Sequence, residues 1–157
     1  MLAIIWHSRT GASRAMARAA HAGAGGAARL IRAHEAEPED LLAARVYLFV
    51  GPENLAAMTG TMKEMFDRLF YPLLGRIEGR GYATATAAGS DGDGALAQID
   101  RIVTGWRLRR VLPDLRVNLG AQTPEQILAA KQVSPESIDA CSNLGRTLAA
   151  GMEIGMF

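Results

Sequence analysis

The sequence predicts an α/β fold, a five-stranded parallel sheet covered by helices on both faces. Three features carry that expectation. Short continuous apolar runs at 2–6 and 45–50 read as strands buried on both sides. Between such runs, apolar residues recur at i, i+3, i+4 and i+7, the signature of helices with one buried face. The two kinds of segment alternate along all 157 residues with no repeat and no linker, so residues 1–157 are expected to form one domain.

Each element follows in order. Leu2–Trp6 is the first strand. Ala12, Ala15, Met16, Ala19 and Ala20 line one helix face, and Gly23, Gly25 and Gly26 end that helix. Ala27–Ala33 is the second strand, and Pro38–Ala44 is a short helix opened by its proline. Arg45–Val50 is the third strand, stopped by Gly51-Pro52. Met62, Met65, Phe66, Leu69 and Phe70 mark a helix that Pro72 ends, with Glu64 and Arg68 paired on its exposed side. Gly81–Ala88 is the fourth strand, and Leu96, Ile99, Val103 and Trp106 mark the next helix. Leu115, Val117 and Leu119 alternate as the fifth strand. Thr123-Pro124-Glu125-Gln126 is a capping box, and Ser134-Pro135 opens a last helix carrying Ile138, Cys141, Leu144 and Leu148.

Composition narrows the function. Seventeen basic residues against 16 acidic ones leave a net charge of +1, which excludes a broad nucleic-acid footprint. Aromatic residues are only 6% and alanine is the commonest residue, so the core must rely on close approach of its elements. Lysine occurs only at Lys63 and Lys131. One cysteine permits no intrachain disulfide, which suits a reducing, cytoplasmic setting. No apolar run approaches the length of a membrane span, and the first residues carry no basic leader.

In such sheets ligands bind beyond the carboxyl ends of the strands, where the strand order reverses. Three loops lie there. Ser8-Arg9-Thr10-Gly11-Ala12-Ser13 follows the first strand and opens a helix, whose free N–H groups and positive dipole end suit a phosphate. Its three hydroxyls add donors, Gly11 permits close approach of the backbone, and Arg9 offers a charge-assisted bond. The alternative is a cluster of helix caps that binds nothing. The segment 51–60 is long for a strand-to-helix connection. In it Pro52, Glu53, Asn54 and Leu55 are candidates to meet a ligand, through the Asn54 amide and the Leu55 side chain. Ala88-Gly89-Ser90-Asp91-Gly92-Asp93-Gly94 exposes backbone groups that suit the polar edge of a heterocycle; the alternative is a plain turn before a helix.

Other motifs fail on context. Gly92–Ala97 and Gly23–Ala28 match the loose dinucleotide spacing, but neither opens a strand-helix-strand unit. No glycine-rich loop carries a phosphate-binding lysine. Asp91-Gly92-Asp93 would place Ile102 where a calcium loop needs glutamate. Gly11–Ala15 looks like a nucleophile elbow, yet no histidine follows His34. His7, His21 and His34 lack metal-ligand spacing. His7 adjoins the first loop, where it either packs the strand end or touches a ligand. Cys141 reads as core.

Taken together, the three loops resemble the flavodoxin family. Ser8–Ser13 is similar to the family's phosphate loop. Gly51-Pro52 and Met62-Lys63-Glu64-Met65-Phe66-Asp67-Arg68 resemble the second loop and following helix of flavodoxin-like oxidoreductases. Gly89–Gly94 resembles the loop beside the flavin ring. The resemblance spans essentially the whole chain. It implies a three-layer sandwich with strand order 2-1-3-4-5 and FMN as cofactor, held by residues 8–13, 52–55 and 88–92. Carrier flavodoxins usually stack the ring between aromatics and are acidic. Segments 51–60 and 88–94 hold no aromatic, and the chain is near neutral. The expected function is therefore an oxidoreductase passing reducing equivalents from NAD(P)H to a small acceptor such as a quinone or flavin. The alternatives are a carrier docking on redox partner proteins and a flavin-free binding module. A homodimer is a further arrangement the resemblance implies.

Overall fold

The computed structural model describes residues 1–157. The strands are β1 (Leu2–Trp6), β2 (Ala28–Arg32), β3 (Val46–Asn54), β4 (Ala57–Met58), β5 (Gly81–Ala88), β6 (Arg109–Arg110) and β7 (Leu115–Asn118). The helices are α1 (Ala12–Ala24), α2 (Pro38–Ala43), α3 (Gly60–Leu73), α4 (Asp93–Gly105), α5 (Pro124–Leu128) and α6 (Pro135–Glu153). The main sheet is parallel and runs β2-β1-β3-β5. β6 pairs with the start of β5 and β7 with its end. With β6 and β7 together filling the fifth position, this is the expected 2-1-3-4-5 order. Proline at 113 has no N–H to give the ladder, and the fifth strand breaks there. No helix is long and apolar enough to cross a membrane.

Two layers of core cover the sheet, and they are chemically different. Under α2, α3 and α4 lie the large rings, with Phe49 5.1 Å from Phe66 and Phe66 5.3 Å from Trp106 between centroids. Under α1 and α6 the sheet presents Leu2, Ile4, Val46 and Leu48, then the small side chains Ala83, Ala85 and Ala87. Small residues let those two helices settle close to the sheet and to each other. At their crossing, a Cβ on Gly145 would stand 1.9 Å from the Ala20 carbonyl oxygen. One on Gly23 would stand 1.9 Å from that of Ser142. Neither glycine ends a helix. Gly23 lies inside α1, which runs to Ala24 and is closed by Gly25 at a positive φ of 60°.

Two further expectations change. β3 does not stop at Gly51-Pro52, because Gly51 pairs with Thr86 and Pro52 with Ala87 of β5. The His7 amide bonds Val50 O, so residues of that parity face β1. β1 has already ended beside Pro52, and the missing N–H costs no ladder bond. Pro72 likewise lies within α3 rather than ending it, and buried Leu73 anchors the last turn. The Glu64–Arg68 pair forms at 2.8 Å. Arg68 also donates to the carbonyls of Ala36 and Ala33, fastening the chain that leads into α2.

Gly145→Val should destabilise the protein at the upper end of the about 1–3 kcal/mol typical of overpacking. The clash is with backbone that cannot rotate away. Urea unfolding checks this, with Gly105→Val, where a Cβ meets nothing, as a second helical comparison.

Candidate functional site

The first loop is built around one residue. Gly11 precedes α1 with φ 103°, a left-handed backbone in which a side chain is strained. The Gly11 amide donates to Ser8 Oγ at 3.1 Å, which folds the loop back on itself. No turn, loop or cap bond uses the amides of Arg9, Thr10, Ala12, Ser13 or Arg14. The loop is thus a concave group of free donors at the positive end of a helix, an arrangement that favours anions. Ala12 and Ser13 point their side chains into the protein, where Ser13 Oγ is buried without a hydrogen-bond partner.

This loop forms one wall of a cavity of about 740 Å³. Trp6, His7, Arg14, Arg32, His34, Thr61, Leu128 and Ala130 complete the lining. Their contribution was not legible in the sequence. Arg32 and His34 arrive because β2 lies beside β1, and the last two because the segment after α5 folds over the loop. The Lys131 amide donates to Thr10 O at 2.8 Å. The Lys131 ammonium donates to the carbonyls of Ile127 and Ala129, closing the C-terminal end of α5. The unusually long stretch between the fifth strand and the last helix was the only sequence signal for this strap. His7 both lines the cavity and shares a hydrogen bond with Thr59 Oγ1 at 2.9 Å, which fastens the end of β1. Burial pushes its pKa below the ordinary 6.5, and the positive charges of Arg9 and His34 push the same way.

The second and third loops meet each other instead of lining this cavity. The segment 51–60 is a β-hairpin rather than an open loop. Asn54 pairs with Ala57 across a two-residue turn at Leu55-Ala56. Both turn residues have positive φ, 53° and 56°, although neither is glycine. Leu55 is 93% exposed at the tip and Asn54 is exposed beside it. Glu53 turns to α4, where its carboxylate accepts from the Gly92 amide at 3.2 Å and the Ala95 amide at 3.1 Å. It acts as a cap reached across space. The hairpin also rests its Ala56 carbonyl against Gly94, where a Cβ would come within 2.0 Å. Gln98 accepts from the Met58 amide at 3.0 Å.

In the third loop, Ala88 is buried at the end of β5 and Gly92 caps α4 in a left-handed conformation at φ 86°. Asp91 Oδ1 accepts from the Asp93 amide, and Asn118 Nδ2 donates to Ser90 O. The amides of Gly89, Ser90 and Asp91 enter no loop or cap bond. The structure holds no group of acidic, histidine or cysteine side chains able to take a metal ion. Cys141 is 1% exposed and burial pushes its thiol up to about 11, which removes it as a nucleophile.

The fold and the loops define a doubly wound α/β protein with a loop of free main-chain amides after its first strand. No protein-family model matches the chain. The chain is 29% identical to a flavodoxin of Aquifex aeolicus (strain VF5) over 164 residues, covering 96% of this chain and 86% of that one. Among solved structures it superposes on a flavodoxin from the domain Archaea with a TM-score of 0.76 at 17% identity. That match covers 98% and 99% of the two chains. It superposes on two-electron reduced Megasphaera elsdenii flavodoxin with a TM-score of 0.71 at 19% identity, covering 96% and 99%. The chain has the flavodoxin-like fold.

Two outcomes are expected. Replacing the tip by the sequence its backbone favours, Leu55→Asn with Ala56→Gly, should raise stability by about 1 kcal/mol in urea unfolding, because it removes strain at two positive-φ positions. His7 should titrate by NMR below the ordinary 6.5. Since its folded pKa is the lower one, stability falls as pH drops through 6.5 toward the folded value, where the unfolded chain takes up the proton first. His7→Gln should flatten that part of the stability profile.

Proposed function

We propose that the chain is an FMN-binding redox protein, and that it acts as an oxidoreductase moving reducing equivalents from NAD(P)H to a small acceptor such as a quinone or a flavin. The observation that carries the reading is the first loop, where free amides surround the N-terminus of α1. A phosphate monoester supplies the acceptor oxygens that these donors lack, so the residues present fit the group. When bound, FMN supplies hydride acceptance and onward electron transfer.

The chain's own residues bind and orient. Residues 8–13 hold the phosphate through backbone N–H groups, which are fixed before the ligand arrives and cost no ordering on binding. The free amides of Gly89, Ser90 and Asp91 are donors for the polar edge of the ring. Glu53 contributes by holding the hairpin on α4, which sets the spacing between 52–55 and 88–92. Leu55, with no aromatic neighbour in the hairpin, offers the ring an apolar cover that leaves it accessible to a small reactant. This accessibility, with the near-neutral charge, supports an enzyme. The flavodoxin relative supports a second reading, a carrier that docks on redox partner proteins.

Adding FMN to the purified protein should quench flavin fluorescence at micromolar concentrations. Gly11→Val should weaken binding by at least about tenfold, the loss of one charge-assisted interaction. Unquenched flavin would overturn both readings. Rapid bleaching of the bound flavin by NADH or NADPH selects the enzyme, and reduction only through a partner reductase selects the carrier.

A further inference from the structure

The cavity beside the first loop is larger and more basic than one phosphate requires. At about 740 Å³ it has the size of a site for a whole organic ligand, for which roughly 300–1,000 Å³ is usual. Arg9, Arg14 and Arg32 line it together with two histidines, and no carboxylate does. In a chain of net charge +1 this is a local concentration of positive charge. Arg9 and Arg14 take part in no salt bridge. Arg32 and His34 share Glu35, at 3.2 and 3.5 Å, outside the lining.

Position adds a second argument. Arg32 is the last residue of β2 and His34 follows two residues on, both lining the cavity with the loop at the start of α1. In dinucleotide-binding doubly wound sheets an arginine near the end of this strand accommodates an adenosine ribose phosphate. The rest of the lining suits a base. The Arg32 guanidinium lies 5.8 Å from the centroid of Trp6, and Leu128 adds apolar surface to the lining. Planar guanidinium and indole surfaces stack on heterocycles, and the fork of arginine matches phosphate oxygens.

We propose that this cavity is a subsite for a phosphorylated adenosine, the adenylate end of a dinucleotide, with Arg32 and His34 on its phosphate and Trp6 against its base. The subsite rests on the reading that the loop amides hold the flavin phosphate, because it takes the basic residues which that phosphate leaves free. Two molecules carry this chemistry, a phosphorylated nicotinamide dinucleotide acting as reductant and a flavin dinucleotide in place of FMN.

The probe is adenosine 2′,5′-bisphosphate, titrated calorimetrically into the FMN-loaded protein, with adenosine for comparison. Binding without release of FMN is expected, with affinity at least about tenfold above that of adenosine, as charge-assisted bonds imply. Arg32→Met with His34→Gln should lower it by at least about tenfold. The melting temperature and the far-ultraviolet spectrum report whether this exposed pair of changes leaves the fold intact. If FAD binds the apoprotein more tightly than FMN and then blocks the probe, the adenylate is that of a flavin dinucleotide. If the two flavins bind alike and the probe binds beside either, it is that of the reductant. Failure of the probe to bind at millimolar concentration overturns the subsite, as does displacement of FMN or binding unaffected by the double variant. Should FMN itself not bind, the same titration on the apoprotein still decides the subsite, since the arginines do not depend on the flavin.

Discussion

The contact between α1 and α6 is the constraint on which the rest of the molecule depends. Gly23 and Gly145 let each helix press on the other's backbone, and the alanines of β5 let both sink toward the sheet. Helices packed on backbone have little freedom to slide, because no flexible side chain can yield between them. The axis of α1 is therefore set at its buried end, and with it the direction in which its first turn points. A cradle of main-chain donors is useful only if it is rigid, and the first turn of α1 inherits its precision from packing a helix length away.

The opposite layer does a different task. Its rings, Tyr47, Phe49, Phe66 and Trp106, bury large areas under α3 and α4. On that base stand the hairpin and the third loop, which are joined by Glu53, Gln98 and the approach of Ala56 to Gly94. The low aromatic content thus has a spatial meaning. Most of the buried rings lie in the core of one face, and segments 51–60 and 88–94 above it carry none. A ligand between these loops meets aliphatic and main-chain surfaces, which hold it through hydrogen bonds more than through stacking.

Local patterns made most of the elements legible. β1 and β5 have the bounds their sequence suggests, because continuous apolar or Thr-Ala runs end at glycine or polar residues. The capping box at Thr123 forms as its spacing requires, with the Gln126 amide on Thr123 Oγ1 and the Gln126 side chain on the Thr123 amide. The first loop was legible for the same reason, since a strand, a glycine and hydroxyls in that order are a local signal. Gly51-Pro52 misled because both are ordinary stop signals, and only the early end of β1 makes the proline harmless in β3. The hairpin was hidden because its turn uses Leu55 and Ala56, residues that do not announce a left-handed backbone. The capping role of Glu53 was hidden because its partners, the Gly92 and Ala95 amides, lie far along the chain.

By itself the sequence determined the alternation of strands and helices, the strand order that its family resemblance implies, and the strand-loop-helix junction at residues 8–13. These follow from periodicity and from backbone preferences that act over a few residues. Only the tertiary structure decided what surrounds that loop. Arg32 and His34 reach it across a strand pairing, and Leu128, Ala130 and Lys131 reach it through a strap from the far end of the chain. Such neighbours are brought together by sheet register and helix packing, which depend on the whole core and leave no mark on the spacing of the residues themselves.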